Sequence, residues 1–316
     1  MADLDFDDAV KPFRRELLAH CYRMTGSLSD AEDALQESLV RAWRGLPKFE
    51  GRSSLRTWLY RVTTNACLTL IAARDARSLP HLARAAGMPD DMQPFDLETP
   101  WLEAFPDELL EAETENRPDA IHGRREAIRL AFIAALQRLP GRQRATLILR
   151  DVVALSAEET AAALDMTTEA ANSLLQRARA NLEAVPMRAP PPDATLADML
   201  ARYLRAWEDG DAKALIALLR ADAVASMPPS PLWVRGDQNV IDCMVRLVWS
   251  GGALKLRPYA ANDAPAFAVY QDRGGVMTLA ALSVLELDGD RIAAIHSFLT
   301  VDPRFSAARY GLAPTL

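Results

Sequence analysis

The residues of this chain best suited to chemistry form a polar row on one side of a helix predicted around residue 175. Asparagine and arginine can make paired hydrogen bonds to adenine and guanine, and glutamine or a further arginine can hold a phosphate. The opposite side of the helix is apolar, with Ala171, Leu175 and Ala178 at helical spacing. The polar row consists of Asn172, Ser173, Gln176, Arg177 and Arg179.

A short helix and a tight turn precede this row. Ser156 and Glu159 have the spacing of a capping box, which predicts a helix that continues through Leu164. Residues 165–168 then form a turn before the longer helix. A short helix, a tight turn and a longer helix with a polar outer face predict a helix-turn-helix, which reads the major groove of DNA.

Charge is segregated along the 316 residues, although the formal net charge is only -7. Residues 41–77 carry eight basic and two acidic side chains, whereas residues 90–126 carry twelve acidic side chains and three arginines. This asymmetry indicates a basic surface that meets a polyanion and an acidic segment kept apart from it.

The cysteines and the N-terminal residues indicate the cellular compartment of the protein. Cys21, Cys67 and Cys243 are widely spaced and have no histidine partners, which argues against a disulfide framework and a zinc site. No metal and no cofactor are expected. The N-terminus is acidic and no apolar window is long enough to span a bilayer, which predicts a cytoplasmic protein without a membrane partner.

Two helices are predicted before residue 78. Ser29 and Glu32 have capping-box spacing, and apolar residues up to Trp43 predict a helix with one buried face that stops at Gly45. The polar loop FEGRSS separates this helix from a second one, whose apolar stripe includes Trp58. Trp58 is therefore expected in the core.

Prolines and acidic residues dominate residues 78–121, which predicts a linker. Its apolar residues are too many for a solvated tether, so we expect the linker to dock on another surface. These residues are Phe95, Trp101, Leu102, Phe105, Leu109 and Leu110.

After a proline-rich hinge, residues 193–316 predict an α+β domain. Two helices precede strand-like runs, and Asp288-Gly289-Asp290 predicts a hairpin turn before Arg291. Helices followed by strands favour an antiparallel sheet. The predicted fold class is therefore multidomain, with two all-α domains followed by an α+β domain.

Three stretches resemble the extracytoplasmic-function (ECF) sigma factors of the sigma-70 family. They are DAEDALQE, FEGRSSLRTWLYRVTTNA and the helix-turn-helix. The resemblance implies sigma region 2 over residues 1–77, an acidic linker over 78–121 and sigma region 4 over 122–184. It also implies two partners, core RNA polymerase, met through its β′ clamp and β flap, and promoter DNA.

The resemblance implies that the acidic helix of region 2 meets the β′ clamp. Acids in a first helical turn also stabilise the helix dipole, an alternative that fits Asp30 to Asp33 but not Glu37. The implied polymerase-binding residues are Asp30, Glu32, Asp33, Gln36 and Glu37.

The resemblance further implies which residues read the promoter. The loop after Lys48 holds an unpaired base of the minus-ten element in this family, a task suited to a polar pocket beside a basic track. The implied minus-ten residues are Phe49, Arg52, Ser53, Ser54, Arg56, Arg61 and Asn65. The implied minus-thirty-five residues are Thr168, Glu169, Asn172, Ser173, Gln176, Arg177 and Arg179.

Residues 193–316 resemble the SnoaL-like branch of the nuclear transport factor 2-like (NTF2-like) fold, a cone-shaped sheet wrapped by helices around a pocket. Aromatic residues there also fit an ordinary core, and a lone histidine on a strand is more often structural than catalytic. No catalytic residue is assigned, and a small-molecule ligand is left open. The possible pocket residues are Met227, Trp233, Trp249, Asn262, Tyr270, His296 and Phe298.

The sequence therefore predicts a promoter-specific sigma factor, and not an enzyme, with a regulatory C-terminal domain. That domain would pack on the sigma domains or contact polymerase. One alternative is a ligand-sensing helix-turn-helix regulator that binds operator DNA without polymerase, which leaves the first helical block unexplained. Another is a SnoaL-like cyclase or isomerase with a helical extension, whose turnover would survive deletion of residues 1–184.

Overall fold

The computed structural model describes residues 6–91, 93–110, 126–182 and 192–316. The chain divides into two compact units. The helical unit comprises the described parts of Met1–Arg77 and Asp107–Val185, and the α+β unit comprises those of Ser78–Pro106 and Pro186–Leu316. Residues 111–125, which include the end of the predicted linker and the start of predicted region 4, lie outside the described residues, as does the hinge at 183–191.

Four helices form the first half of the helical unit: α1 (Phe6–Val10), α2 (Arg14–Thr25), α3 (Leu28–Gly45) and α4 (Leu55–Ala72). The predicted capping box at Ser29 and Glu32 is wrong. Gly26 ends α2 in the left-handed conformation, with a φ of 71°, which glycine adopts without steric penalty. Ser27 then caps α3 by accepting a hydrogen bond from the N–H of Asp30.

Buried ion pairs join these helices. Glu16 of α2 accepts hydrogen bonds from Nη2 and Nε of Arg56 in α4, at 2.7 and 2.9 Å. Asp30 binds Arg74 and Arg77, and its Oδ2 lies 2.8 Å from Nη2 of Arg77. Burial alone would raise the pKa of Asp30, but the hydrogen bonds and charges of the two arginines outweigh it and lower that pKa.

After the short α5 (Pro80–Ala83), which belongs to the α+β unit, the helical unit resumes with α6 (Leu130–Gln137), α7 (Gly141–Leu147), α8 (Ala157–Ala163) and α9 (Thr168–Leu182). The capping box predicted at Ser156 is confirmed. Its hydroxyl accepts from the Glu159 N–H at 3.1 Å, and the Glu159 carboxylate accepts from the Ser156 N–H at 2.8 Å.

The α+β unit contains α10 (Asp193–Glu208), α11 (Ala212–Ile216), α12 (Asp237–Leu247) and a sheet of six strands. The strands are β1 (Leu219–Ser226), β2 (Trp233–Arg235), β3 (Leu254–Ala261), β4 (Ala264–Asp272), β5 (Met277–Asp288) and β6 (Arg291–Leu299). The predicted hairpin turn is confirmed, with Gly289 at a φ of 57° between β5 and β6.

The strand order is β2-β1-β6-β5-β4-β3. All neighbouring pairs are antiparallel except β1 and β6, which are parallel, so the sheet is mixed where the sequence predicted an antiparallel one. The long connection from β1 to β6, which includes α12 and four strands, supplies the crossover that a parallel pair requires.

The two faces of the sheet have different coverings. Phe267 and Ile295 pack with Tyr203 of α10 and Val240 of α12, so this face is covered by helices. On the opposite face Tyr270 and Leu279 pack against residues beyond β6, including Phe305 and Leu312. Alternate residues of a strand point to opposite faces, which explains how β4 serves both clusters.

The first part of the predicted linker packs within the α+β unit, as its apolar content indicated. We call residues 78–106 the strap. Trp101, Leu102 and Phe105 of the strap are buried, whereas Phe95 is exposed. The Phe105 N–H donates to Oδ1 of Asn262 and the Phe105 carbonyl accepts from the Asn262 N–H, both at 2.9 Å. The strap is thus held by paired polar contacts as well as by apolar burial.

Across the described residues, no helix has the length and apolar character needed to cross a membrane. Nor does the described part of the chain contain a group of three or more His, Cys, Asp or Glu residues arranged to hold a metal ion.

We predict that Asp30→Asn destabilises the helical unit by about 3 kcal/mol at pH 7, because it leaves the buried Arg77 without its anion. Since the folded-state pKa of Asp30 is lowered, the wild-type advantage is present above the unfolded pKa near 3.8 and is lost as the pH falls through the folded pKa. Hydrogen exchange of α3 and α4 in urea at pH 7 and at lower pH measures this. Asp33→Asn, at an exposed position of α3, is the matched control and should change stability by less than about 0.5 kcal/mol.

Candidate functional site

Helix α3 presents an exposed row that is acidic in its first half and apolar in its second. Positions three, four and seven residues apart share one face of a helix. Glu32, at the edge of the row, is half-buried. At the far end Val40 is 43% exposed and Trp43 is 62% exposed. We call this row the α3 stripe; it consists of Asp33, Gln36, Glu37, Val40 and Trp43.

Asp30 does not belong to the α3 stripe, although the sequence grouped it with the polymerase-binding acids. Its side chain is buried and its charge is neutralised by Arg74 and Arg77. It acts as a structural anion near the N-terminus of α3. Helical spacing could not reveal this, because the two arginines lie 44 and 47 residues further along the chain.

Trp43 was expected on the buried face of α3, and that expectation is wrong. Ala31, Ala34, Ser38 and Ala42 face the interior instead, so small residues let α3 approach its neighbours closely. The signal was present in the sequence, since Trp43 lies seven residues after Gln36 and three after Val40, on the acidic face.

The loop between α3 and α4 is open to solvent. Gly51, Arg52, Ser53 and Ser54 are exposed. Phe49 packs on Trp58, with ring centroids 5.2 Å apart. Trp58, expected in the core, is only half-buried.

Ser54 has a structural role at the start of α4. Its hydroxyl caps α4 by accepting from the Thr57 N–H at 3.0 Å. Arg52 forms an exposed ion pair with Glu50 at 2.5 Å.

The three candidate minus-ten residues on α4 have different surroundings. Arg56 binds Glu16 and lies over the Tyr60 ring, 4.9 Å from its centroid, so it holds α4 against α2. Arg61 is exposed. Asn65 is exposed but its Nδ2 lies 3.5 Å from the carbonyl oxygen of Ala163 in α8.

Helix α4 also contacts the later helices of the same unit at other points. The Thr57 hydroxyl donates to Oε1 of Glu159 at 2.9 Å, so the carboxylate that caps α8 also binds α4. A Cβ placed on Gly141 would lie 2.9 Å from Cδ1 of Ile71 and 3.3 Å from Cδ2 of Leu68. Gly141 therefore leaves no room for a side chain between α7 and α4.

Arg144 connects the two halves of the helical unit. Its guanidinium is buried and donates to the carbonyl of Met24, to Oε1 of Gln137 at 2.6 Å and to the carbonyl of Leu139 at 3.2 Å. Burial lowers its pKa to about 10, so the side chain remains charged at neutral pH. Gln137 in turn donates to the carbonyl of Arg23 at 3.3 Å.

The polar row of α9 is exposed as predicted. Asn172, Ser173 and Gln176 are exposed, and exposed Arg177 donates to the carbonyl of Ser173 on its own helix, at 3.3 Å. Arg179 is different, because Asp151 binds it through two hydrogen bonds of 2.6 and 2.9 Å.

The two residues at the start of α9 differ in exposure. Thr168 is half-buried, whereas Glu169 is fully exposed. The pKa of Glu169 is lowered by backbone N–H groups and by Thr167 at the helix N-terminus.

The seven candidate pocket residues have different surroundings. Met227 and Trp249 pack with the helix-covered core, and Trp249 donates to the carbonyl of Trp207 at 3.2 Å. Tyr270 lies in the cluster on the other face and donates to the carbonyl of Ala313 at 2.9 Å. Phe298 is buried across from Leu282.

The other three candidates contact the strap. Asn262 binds Phe105, and Trp233 donates from Nε1 to the carbonyl of Arg84 at 2.9 Å. His296 is fully buried, and its ring stacks on that of His81 with centroids 5.1 Å apart. The resemblance suggested these three as possible pocket residues, and in the structure they contact this chain's own strap.

The helical unit matches two family models. Residues 9–77 match the model described as Sigma-70 region 2, and residues 129–182 match the model described as Sigma-70, region 4. The chain is also 27% identical over 180 residues to the RNA polymerase sigma factor YlaC of Bacillus subtilis (strain 168), a match that covers 56% of this chain and 89% of that protein.

Two further comparisons include the α+β unit. Over 311 residues the chain is 44% identical to the ECF RNA polymerase sigma factor SigG of Mycobacterium tuberculosis (strain ATCC 25618 / H37Rv), which covers 95% of this chain and 83% of that protein. The crystal structure of the M. tuberculosis ECF sigma factor SigJ aligns with a TM-score of 0.65 at 21% identity, covering 97% of this chain and 99% of that one. The predicted fold class is confirmed, and the sigma factor interpretation is favoured over both alternatives. Both sigma regions match, and SigG is similar over 95% of this chain. The chain therefore belongs to the family of ECF RNA polymerase sigma factors.

Proposed function

We propose that this sigma factor works through three exposed surfaces of its helical unit and is regulated through its strap. As an ECF sigma factor it binds core RNA polymerase and promoter DNA. The observation that carries the assignment is that the α3 stripe, the loop at residues 49–54 and the outer row of α9 are solvent-exposed at the positions where the two sigma regions match.

The α3 stripe is the proposed contact with the polymerase β′ clamp. Its acidic half suits a basic partner and steers association, and its apolar half supplies the buried area that holds a complex together. Trp43 is well placed as an anchor, because exposed tryptophans at interfaces carry a large share of binding energy. We exclude Asp30 from this surface, because its charge is already paired inside the unit.

The loop at residues 49–54 is the proposed site for an unpaired base of the minus-ten element. Exposed serines offer hydrogen bonds to a base edge, and Arg52 and Arg61 provide a positive track for the strand. Asn65 reaches DNA only after it leaves the carbonyl of Ala163. We assign Arg56 to positioning α4, because its guanidinium is occupied by Glu16.

The outer row of α9 is the proposed reader of the minus-thirty-five element, where the β flap would support region 4. Asn172 and Arg177 are the candidates for paired bonds to adenine and guanine. Ser173 and Gln176 add hydrogen bonds to bases or phosphates, Thr168 and Glu169 lie where the helix enters the groove, and Arg179 positions α9 through Asp151.

The free helical unit is proposed to be closed. Thr57 and Asn65 of the minus-ten helix are bound by α8 of the helix-turn-helix, and Arg144 joins the two sigma regions from inside. A promoter separates its two elements along the DNA, so both regions cannot read it while they are packed together. Polymerase would therefore open the unit on binding.

The strap is proposed as the regulated element of the α+β unit. By resemblance, the linker of a sigma factor threads its acids near the polymerase active-site channel, where their charge mimics nucleic acid. Here residues 78–106 of that linker are packed on the C-terminal sheet, so they are unavailable until they detach. Regulation of this kind needs no catalysis, and a small-molecule ligand stays a prediction.

For polymerase binding, we predict that Asp33→Lys and Trp43→Ala each weaken the affinity for core polymerase by about 10-fold to 100-fold, as expected for losing about 1–3 kcal/mol at an interface. Asp242→Lys, an equal charge change at an exposed position of α12, is the control and should leave binding unchanged. Titration of labelled protein with core polymerase measures the affinity. Unchanged binding by both α3 variants would remove the stripe from the interface.

For promoter reading, the first experiment is run-off transcription with core polymerase on a genomic library, which should give discrete start sites. On such a promoter Arg177→Ala is expected to reduce initiation about 10-fold to 100-fold and to relax selectivity at one base, because a paired base contact contributes about 1–3 kcal/mol. Gln143→Ala, on the neighbouring α7, is the control and should have little effect. Sequence-specific binding without polymerase, combined with no initiation, would contradict the sigma assignment.

For closure of the helical unit, Gly141→Leu should act as a wedge, because even a Cβ there meets Ile71 and Leu68. We expect about 10-fold tighter binding of a single-stranded minus-ten oligonucleotide in the absence of polymerase. Combining it with Ile71→Ala, which makes room for the leucine, should restore the wild-type affinity. Fluorescence anisotropy measures both, and an unchanged affinity in folded Gly141→Leu would argue against masking.

A further inference from the structure

Two buried cysteines lie on neighbouring helices of the helical unit. Cys21 belongs to α2 and Cys67 to α4, both are fully buried, and both are free thiols. His20 and Thr64 set the register of these helices, since Nε2 of His20 lies 2.9 Å from the hydroxyl oxygen of Thr64. Cys67 follows Thr64 by three residues on the same side of α4, so it too faces α2.

The two thiols are in contact. The side chain of Cys21 is hydrogen-bonded to that of Cys67. Free cysteines are among the most buried residues and behave as small hydrophobes, so contact and burial alone fit ordinary packing. What separates a binding site from packing is a charged group beside the two sulfurs.

A buried cation lies beside the pair. Arg144 donates to the carbonyl of Met24 in α2, and its charge is close enough to Cys67 to interact with a thiolate there. The other groups that it binds, on Gln137 and Leu139, are neutral as well. Arg144 is 5% exposed, and its Nε has no hydrogen-bond acceptor among the described residues. Because buried polar groups nearly always have a partner, this guanidinium is placed to balance a negative charge on the sulfurs.

Two thiolates form a ligand set for a soft metal ion, because thiolate sulfur selects ions such as Cu(I). In the part of the chain that the structure describes, no group of three or more His, Cys, Asp or Glu residues could hold a metal ion, so the pair has no third ligand of these types there. A structural zinc site takes four protein ligands, and two sulfurs do not supply them. Monovalent ions with a filled d shell, Cu(I) and Ag(I), accept two sulfurs in a linear arrangement.

The charge at the two sulfurs favours a monovalent ion. On binding, two S–H bonds are replaced by two S–Cu bonds, both protons leave to solvent and no electron is transferred. Two thiolates and one Cu(I) carry a single negative charge, which the guanidinium of Arg144 offsets. A divalent ion would leave the sulfur pair neutral, so it would gain no such attraction from the buried cation.

We propose that Cys21 and Cys67 form a buried two-sulfur site for a monovalent soft metal ion, Cu(I) or Ag(I), with Arg144 as its counter-charge. The site depends on contacts within the helical unit and on none of the DNA-binding, polymerase-binding or regulatory roles assigned above. Since both sulfurs are buried, an ion enters when α2 and α4 open locally, so binding is slow rather than immediate.

The test is anaerobic titration of the full-length protein with Cu(I) in competition with bicinchoninate, whose Cu(I) complex is coloured. The wild-type protein should take up one Cu(I) per chain. Cys21→Ser and Cys67→Ser should each weaken the affinity by at least about 100-fold, because each removes one of the two ligands. Cys243→Ser changes the third cysteine, which is buried in α12 of the α+β unit, and this matched control should bind Cu(I) as the wild type does.

The counter-charge is tested at Arg144 itself. Arg144→Lys keeps a positive charge, whereas Arg144→Gln removes it, so the lysine variant should bind Cu(I) about 10-fold to 100-fold more tightly than the glutamine variant. X-ray absorption of the copper-loaded wild-type protein needs no substitution and should show two sulfur ligands. This spectrum decides the ligand set even if a variant fails to fold.

Several results would each overturn the site. They are no uptake of Cu(I) by the wild type, unchanged affinity in either folded serine variant, copper bound through nitrogen or oxygen, and a disulfide between the two cysteines formed in air by protein that binds no Cu(I). Run-off transcription with metal-free protein tests the proposed function separately, so failure of one is distinguishable from failure of the other.

Discussion

The arrangement of the helical unit depends on one buried cation. Arg144 carries a full charge among carbonyl groups contributed by both sigma regions, and each hydrogen bond to a charged group contributes about 1.5–3 kcal/mol. Removing the guanidinium would leave those carbonyls buried without a donor. Because the acceptors from Met24 and from Leu139 belong to different sigma regions, the same cation that stabilises the unit also keeps the two regions together.

The proposed closed form of the helical unit explains why residues that suit DNA binding have partners inside the protein. Thr57 and Asn65 lie on the helix proposed to read the minus-ten element, and both contact α8. These contacts are few and polar, whereas the Arg144 network is buried. For the opening proposed above, weak outer contacts around one strong inner network suit a unit that opens only when a large partner supplies the energy.

The sheet of the α+β unit packs against helices and also binds the strap. Helices cover one face, and His296, Trp233 and Asn262 bind the strap. The polar residues that looked like pocket chemistry are thus partners for backbone groups and for a ring of the same chain. These contacts with the strap are the basis of the regulatory role proposed for the C-terminal unit.

The sequence by itself determined the capping box at Ser156, the hairpin turn at Gly289 and the polar row of α9, because each follows from local spacing. Its resemblance to a known family identified the two sigma regions. Only the tertiary structure decided that Asp30 is buried and that the strap belongs to the C-terminal sheet. The physical reason is distance along the chain. Arg77 reaches Asp30 across 47 residues and Asn262 reaches Phe105 across 157, and no local pattern encodes such pairings.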